Sequence, residues 1–251
     1  MVDATFNPFT LEGKNILVTG ASAGIGKSIA VMCSRAGAKM VITGRNQARL
    51  DGTLEEMYGD GHLSFAVDLT SSSSLSCLLE QLSELDGIVH CAGIGQRKPC
   101  KMVTAADVDE VMDINFKSIV LLQAGLLKNK KVKKGASIVF MASRAANSPS
   151  VGNAIYSASK GAIISYAKCL SLELAPRQIR VNCICPAMVW TDLILNGGLS
   201  KEDLEAAQLN YPLKRYGKPE DVAYLSVYLL SNASSWMTGS CLDLTGGANN
   251  L

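Results

Sequence analysis

Along this chain, short β-branched and apolar runs alternate with longer stretches in which apolar positions recur at helical spacing. That alternation predicts repeated βαβ units and a mostly parallel sheet. Seven runs read as strands: NILVT (15–19), KMVIT (39–43), LSFAV (63–67), GIVHC (87–91), ASIVFM (136–141), IRVNCIC (179–185) and SCLDL (240–244). Their apolar density predicts burial on both faces, with crossover helices covering each side. The intervening segments carry helix signals. TSSSS at 70–74 offers N-cap hydroxyls, Thr104 opens a pattern running to about Leu127, Pro176 closes a segment that starts near Ala154, and Pro219 with Glu220 and Asp221 opens another. With no linker, repeat or low-complexity tract, the expected fold is one α/β domain over 1–251, a doubly wound seven-stranded parallel sheet. Residues 186–218 break the rhythm. This excursion follows a strand's carboxyl end, holds only a modest helix pattern around Lys201 to Asn210, and reads as a substrate loop.

Composition narrows the function classes. The formal net charge of +2 is too small to suggest a nucleic acid partner, and the basic run from Lys128 to Lys134 reads as a solvated helix end and loop. No run approaches the roughly 18 uninterrupted apolar residues of a membrane span, and MVDATFNPFT lacks a secretion signature, so the expectation is a cytoplasmic protein without a membrane partner. The eight cysteines are scattered, mostly in apolar segments, and read as buried free thiols. With only His62 and His90, and no cluster at ligand spacing, no metal site is expected.

The first strand runs into TGASAGIG, which places Gly20, Gly24 and Gly26 at the turn before a helix. Such glycines let main-chain N–H groups approach a diphosphate, which the helix N-terminus also attracts. At the end of the second strand, an acid would accept from the adenosine ribose hydroxyls, whereas an arginine accommodates a 2′-phosphate. From Gly13 to Leu50 there is no Asp or Glu, and the strand ends in Thr43-Gly44-Arg45 with Arg49 one helical turn beyond. The expected coenzyme is therefore NADP(H) rather than NAD(H).

Tyr156 and Lys160 are four residues apart in NAIYSASKGAII (153–164), so they share one helix face. A free phenol titrates near pH ~10, and a neighbouring ammonium favours the phenolate, which suits general acid–base work. As an isolated pattern, Tyr-x-x-x-Lys is common on helix surfaces. Thirteen positions earlier, however, the fifth strand ends in FMASRAA, which sets Ser143 at the carboxyl edge of the sheet where ligands bind in open α/β folds. Its hydroxyl can steady a developing oxyanion.

These residues, together with Asp68-Leu69 and Asn115, resemble the short-chain dehydrogenase/reductase family over nearly the whole chain. The resemblance implies a Rossmann fold and a catalytic tetrad of Asn115, Ser143, Tyr156 and Lys160. In it Tyr156 exchanges a proton with the substrate oxygen, Lys160 assists the phenol and holds the nicotinamide ribose, and Asn115 orders a water. It implies coenzyme contacts from Gly20, Ser22, Gly24, Ile25, Gly26 and Arg45, from Asp68 and Leu69 around the adenine, and from Ala92 and Gly93 after the fourth strand. Pro186, Val189 and Thr191, in PAMVWT, look like the segment that wraps the nicotinamide amide. It also implies a homotetramer, or at least a dimer, since the segments at about 104–127 and 154–174 carry more apolar and small residues than one sheet face can cover.

Two departures stand out. Cys91-Ala92-Gly93 replaces the family's usual Asn-Ala-Gly, removing an amide that would brace the sheet, and Ala187 replaces the glycine usual after Pro186. Cys91 reads as a buried thiol, since His90 projects from the opposite strand face. The expected activity is NADP(H)-dependent hydride transfer between the nicotinamide and a small-molecule carbonyl or secondary alcohol. A 3-oxoacyl-acyl-carrier-protein reductase is a close alternative, for which Arg97, Lys98 and Lys101 would receive the acidic carrier protein. Steroid, sugar and polyol substrates stay open, and the alternative from another class is a non-catalytic NADP(H)-binding sensor or scaffold.

Overall fold

The computed structural model describes residues 7–148, 150–198 and 200–248. Its centre is a parallel sheet of β1 (Asn15–Thr19), β2 (Lys39–Gly44), β3 (Leu63–Ala66), β4 (Leu85–His90), β5 (Val132–Met141), β6 (Arg180–Pro186) and β7 (Cys241–Leu244). The strand order is β3-β2-β1-β4-β5-β6-β7. The order reverses between β1 and β4, the switch point beside which open α/β sheets bind ligands at their carboxyl ends.

The strands alternate their side chains between two cores. Leu17, Val41, Ile88, Ile138, Phe140 and Val181 face a layer built from α3 (Ser72–Gln81), α5 (Ser118–Lys128) and α6 (Ala154–Leu174). Ile16, Val18, Met40, Ile42, Val89 and Ile184 face α1 (Gly24–Arg35) and α9 (Pro219–Leu230). Ile16, Leu17, Val18 and Ile88 are fully buried. Each such side chain contributes roughly 1.5–3 kcal/mol by leaving water, and this two-sided burial is why the strands read as continuous apolar runs.

The remaining helices are α2 (Gln47–Leu54), α4 (Ala105–Met112), α7 (Asp192–Leu195) and α8 (Lys201–Gln208). Thr104 caps α4 through a capping box with Asp107, and Ser71 caps α3 by accepting from the Ser74 N–H. The long helix expected from Thr104 to Leu127 is interrupted: Asp113–Lys117 forms a π-helical turn between α4 and α5. The basic run also differs from expectation. α5 ends at Lys128, but β5 already begins at Val132, where Lys133 pairs with Asp86 at 2.8 Å and so satisfies a charged strand entry. All eight thiols are free, yet only Cys33, Cys183 and Cys185 are buried, whereas Cys77, Cys100 and Cys169 are exposed. Cys77 and Cys169 lie in α3 and α6, where one stripe of each helix faces water despite the apolar neighbours in sequence.

Candidate active site

The glycine turn is shaped by contact as well as by backbone angle. Gly20 has φ +68°, and a β-carbon there would sit 2.8 Å from the Ala92 backbone; one on Gly26 would run into the Gly20 carbonyl. The chain can pass here only without side chains, which leaves main-chain N–H groups at the mouth of α1. No acid lies in the first turn of α1. Thr53 of α2 donates to the Ala21 carbonyl at 2.9 Å, and the Ala21 N–H donates to Thr43 at 2.9 Å, fixing the turn against β2. This cradle fits an anionic diphosphate.

At the end of β2, Arg45 and Arg49 are exposed, and Ser22 Oγ lies against the backbone of Gly44. Asn46 caps α2 by accepting from the Arg49 N–H at 3.0 Å. Asp68 follows β3, and its Oδ1 accepts from the Thr70 N–H at 2.9 Å and from the Thr70 hydroxyl at 2.7 Å. Those bonds, aided by the Arg45 charge, hold its carboxyl below the usual range. Asp68 thus makes its own turn while Ser71 caps the helix, and Leu69 packs partly into the core.

The missing asparagine after β4 is covered by a residue the sequence reading passed over. The buried Thr19 hydroxyl oxygen accepts from the N–H groups of both Cys91 and Ala92, each at 3.1 Å. Cys91 is pushed up to about 12 by burial, which makes it a poor nucleophile. His90 turns to the other face, stacks on Phe140 with ring centroids 4.7 Å apart, and meets Gln123 Oε1 at 2.9 Å.

Asn115 lies in the π-helical turn and is fully buried. Its Oδ1 accepts from the Ile94 N–H at 2.7 Å, and its Nδ2 donates to the Ile94 carbonyl at 2.9 Å and to Ser159 Oγ at 3.1 Å. The amide therefore clamps the loop after β4 to α6. Single π turns recur at functional sites, and here the turn sets this amide toward the loop. Gly93 lies between Asn115 and Lys160: a β-carbon on it would be 3.1 Å from Asn115 Oδ1 and 3.3 Å from Lys160 Nζ.

Lys160 is only 4% exposed. Its Nζ donates to the Met141 carbonyl at 3.0 Å and stands 5.8 Å from the centroid of the Tyr156 ring. Ser143, two residues after Met141, is half-buried and accepts from the Ala145 N–H at 3.1 Å. The turn it caps, Arg144–Ala146, packs against α6. The fold thus gathers Asn115, Ser143, Tyr156 and Lys160 at the carboxyl edge of β4 and β5.

The segment after β6 closes over this edge. Val189 is buried and bridges to Gly217, while Thr191 Cγ2 approaches within 3.2 Å of where a β-carbon on Gly24 would be. Leu193 of α7 lies 3.4 Å from the equivalent point on Gly95. Trp190, Tyr211 and Tyr216 form an aromatic cluster, with Trp190 Nε1 donating to Gln208 at 3.2 Å. Three aromatics among the apolar residues of this excursion were the sequence signal for the small core. Ala187 donates its N–H to the Leu244 carbonyl at 3.1 Å, so the loop leaves β6 still bonded to β7.

Comparison with known proteins identifies the family. The family model described as enoyl-(acyl carrier protein) reductase matches residues 20–249. A solved structure titled short chain dehydrogenase/reductase family protein superposes with a TM-score of 0.85 at 29% identity, covering 96% of this chain and 99% of the other. The chain belongs to the short-chain dehydrogenase/reductase family. As a member it is an oxidoreductase acting on CH–OH or C=O groups. The 3-oxoacyl-[acyl-carrier-protein] reductase FabG of Rickettsia prowazekii (strain Madrid E) is 35% identical over 237 residues, covering 94% of this chain and 97% of that one. A 7α-hydroxysteroid dehydrogenase solved with NADH and 7-oxo glycochenodeoxycholic acid matches with a TM-score of 0.89 at 31% identity, covering 96% of this chain and 97% of the other.

Proposed function

We propose that this family member binds NADP(H) along the carboxyl edge of the sheet and interconverts a carbonyl and a secondary alcohol, with Tyr156 as the proton-exchanging group. The observation that carries the reading is the buried Lys160 ammonium, held by the Met141 carbonyl beside both Tyr156 and Gly93. Burying a lysine amine is costly unless it is bonded and used, and the Tyr156 phenol one helical turn away shares its helix face. Ser143 Oγ steadies the substrate oxygen, and Asn115 keeps the loop at Ile94 in register with α6. When bound, the nicotinamide supplies or accepts the hydride.

The glycine turn and the mouth of α1 take the diphosphate. Arg45, with Ser22 beside it, receives a 2′-phosphate in a segment that carries no acid from Gly13 to Leu50. Asp68 and Leu69 border the adenine, Ala92 and Gly93 the nicotinamide ribose, and Pro186, Val189 and Thr191 the amide. Gly24, Ile25 and Gly26 shape the turn.

The relatives' names favour a second, narrower reading, a 3-oxoacyl thioester delivered on an acidic carrier protein. Within the basic rim expected for such a partner, Lys98 is already paired with Asp107 at 2.6 Å, which leaves Arg97 and Lys101 to contribute. A panel of ketones, 3-oxoacyl thioesters, oxosteroids and keto sugars, run with NADPH and with NADH, tests both readings. Turnover with NADPH supports the first, and strong preference for the thioester supports the second. NADPH binding without turnover across the panel would replace both with a coenzyme sensor.

A further inference from the structure

Away from the cleft, β6 and β7 set two thiols side by side. Cys183 and Cys241 are register partners on these parallel strands, so their side chains leave the same sheet face. Neighbouring strands run about 4.8 Å apart, inside the roughly 4.4–6.8 Å Cα range that a disulfide accepts. The two thiols lie close enough for each to bear on the other's acidity. Cys241 is partly buried and Cys183 buried, and the next pair in this register is Cys185 opposite Asp243.

The local charges favour one reactive sulfur. The adjacent Cys183 thiol, then the Lys168 ammonium of α6, bring the Cys241 thiol down to about 7 against burial and Asp243. The adjacent Cys241 and burial push Cys183 up. Cys33 and Cys91, by contrast, are both pushed up to about 12 by burial. A low thiolate reachable from solvent beside a second thiol is the arrangement of a reactive and a resolving cysteine.

We propose that Cys241 and Cys183 form an oxidative modification site, in which Cys241 reacts with a hydroperoxide and Cys183 closes on it as an intrachain disulfide. In the first step the Cys241 thiolate attacks the peroxide oxygen and the O–O bond breaks. The products are a sulfenic acid on Cys241 and water or an alcohol, protonated by solvent. In the second step the Cys183 sulfur attacks the sulfenic sulfur, the S–O bond breaks, and hydroxide leaves with the Cys183 proton as water. The two thiols lose two electrons in total and the peroxide gains them; a dithiol reductant reverses the bond. Because β6 runs directly into Pro186–Thr191, and Ala187 bonds to Leu244 of β7, joining these strands strains the loop over the coenzyme. That consequence rests on the coenzyme reading above; the modification itself does not.

The test treats the whole protein with hydrogen peroxide, alkylates the remaining thiols, digests without reduction and maps peptides by mass. A Cys183–Cys241 linked pair is expected, lost on dithiothreitol and absent from C183S and C241S. In C183S, dimedone should label Cys241. Full alkylation of both residues under conditions that oxidise exposed Cys100, or linkage of either to a different cysteine, would overturn the proposal. The wild-type map decides this even where a variant folds poorly. In the cross-linked sample the NADPH KM should rise several-fold and recover with reductant; a cross-link with unmoved KM overturns the coupling to the loop.

Discussion

Lys160 Nζ stands 5.8 Å from the centre of the Tyr156 ring while its hydrogen bond to the Met141 carbonyl, 3.0 Å long, ties it to the end of β5. Lys160 belongs to α6, so the bond joins that helix to the strand that leads into Ser143. Tyr156→Phe removes only the phenolic oxygen. It should lower kcat by at least ~10²–10⁴-fold, the usual worth of a positioned acid–base group. NADPH binding, followed by fluorescence titration, should change little. Turnover at the wild-type rate would refute the role given to Tyr156.

Arg45 offers a test of coenzyme choice. Charge-assisted bonds contribute about 1.5–3 kcal/mol, so Arg45→Ala should reduce kcat/KM for NADPH by roughly 10- to 100-fold. The value for NADH should stay within about two-fold, because no 2′-phosphate is involved. Steady-state kinetics with both coenzymes would decide this, and equal losses for the two would argue against a 2′-phosphate site.

Asn115 makes a structural prediction separable from catalysis. Asn115→Ala leaves the Ile94 N–H and carbonyl without their side-chain partner. Each orphan costs up to ~1–3 kcal/mol, so in this partly buried loop urea unfolding should show a loss of about 2 kcal/mol. Amide exchange around Ile94 should quicken more than in β5. An unchanged unfolding midpoint would remove the clamp from the account.

His90 gives the pH dependence. Burial lowers its pKa from 6.5 to about 4, against the Gln123 bond, which raises it. The folded state then resists protonation that the unfolded chain accepts. Its contribution to stability is complete above pH ~6.5 and is lost as pH falls toward ~4, about 3 kcal/mol in all. In His90→Gln the fall in unfolding free energy between pH 7 and 4 should be smaller than in wild type by about that amount. Parallel pH profiles would exclude His90 as the source.

Self-association is the expected consequence of apolar side chains exposed on two long helices. Leu121 of α5 and Leu172 of α6 are 49% and 77% exposed. A second copy covering these helices should give a species at least twice the 26.6 kDa chain in sedimentation, and Leu172→Arg should weaken it. A wild-type monomer at micromolar concentration would contradict this.

Much of this architecture was legible because two-sided burial writes each strand as an apolar run, and because glycine turns and caps leave local marks. The strand entry at Val132–Lys134 carries no local strand signal, since three of the residues at Lys131–Lys134 are lysines whose pairing with Asp86 and the Leu82 carbonyl lies about 50 positions away. The π turn was invisible because DINFK suits an ordinary helix equally well. α2 carries Gly52 and little apolar period, and Asn46 was its only plain signal. Tyr156, Lys160 and Ser143 could be read from spacing, but Thr19 serves backbone donors 72 and 73 positions on, a relation that no local motif encodes.

The π turn at Asp113–Lys117 has a further consequence for the chain's tolerance of length changes. A residue removed there would restore regular winding and swing everything downstream by about 100°, carrying Gln123 off His90 and rotating the outward leucine of α5 to a new heading. The wide turn thus acts as a phase spacer, reconciling the angle the Asn115 clamp demands with the angle at which the rest of that rod seats on the sheet.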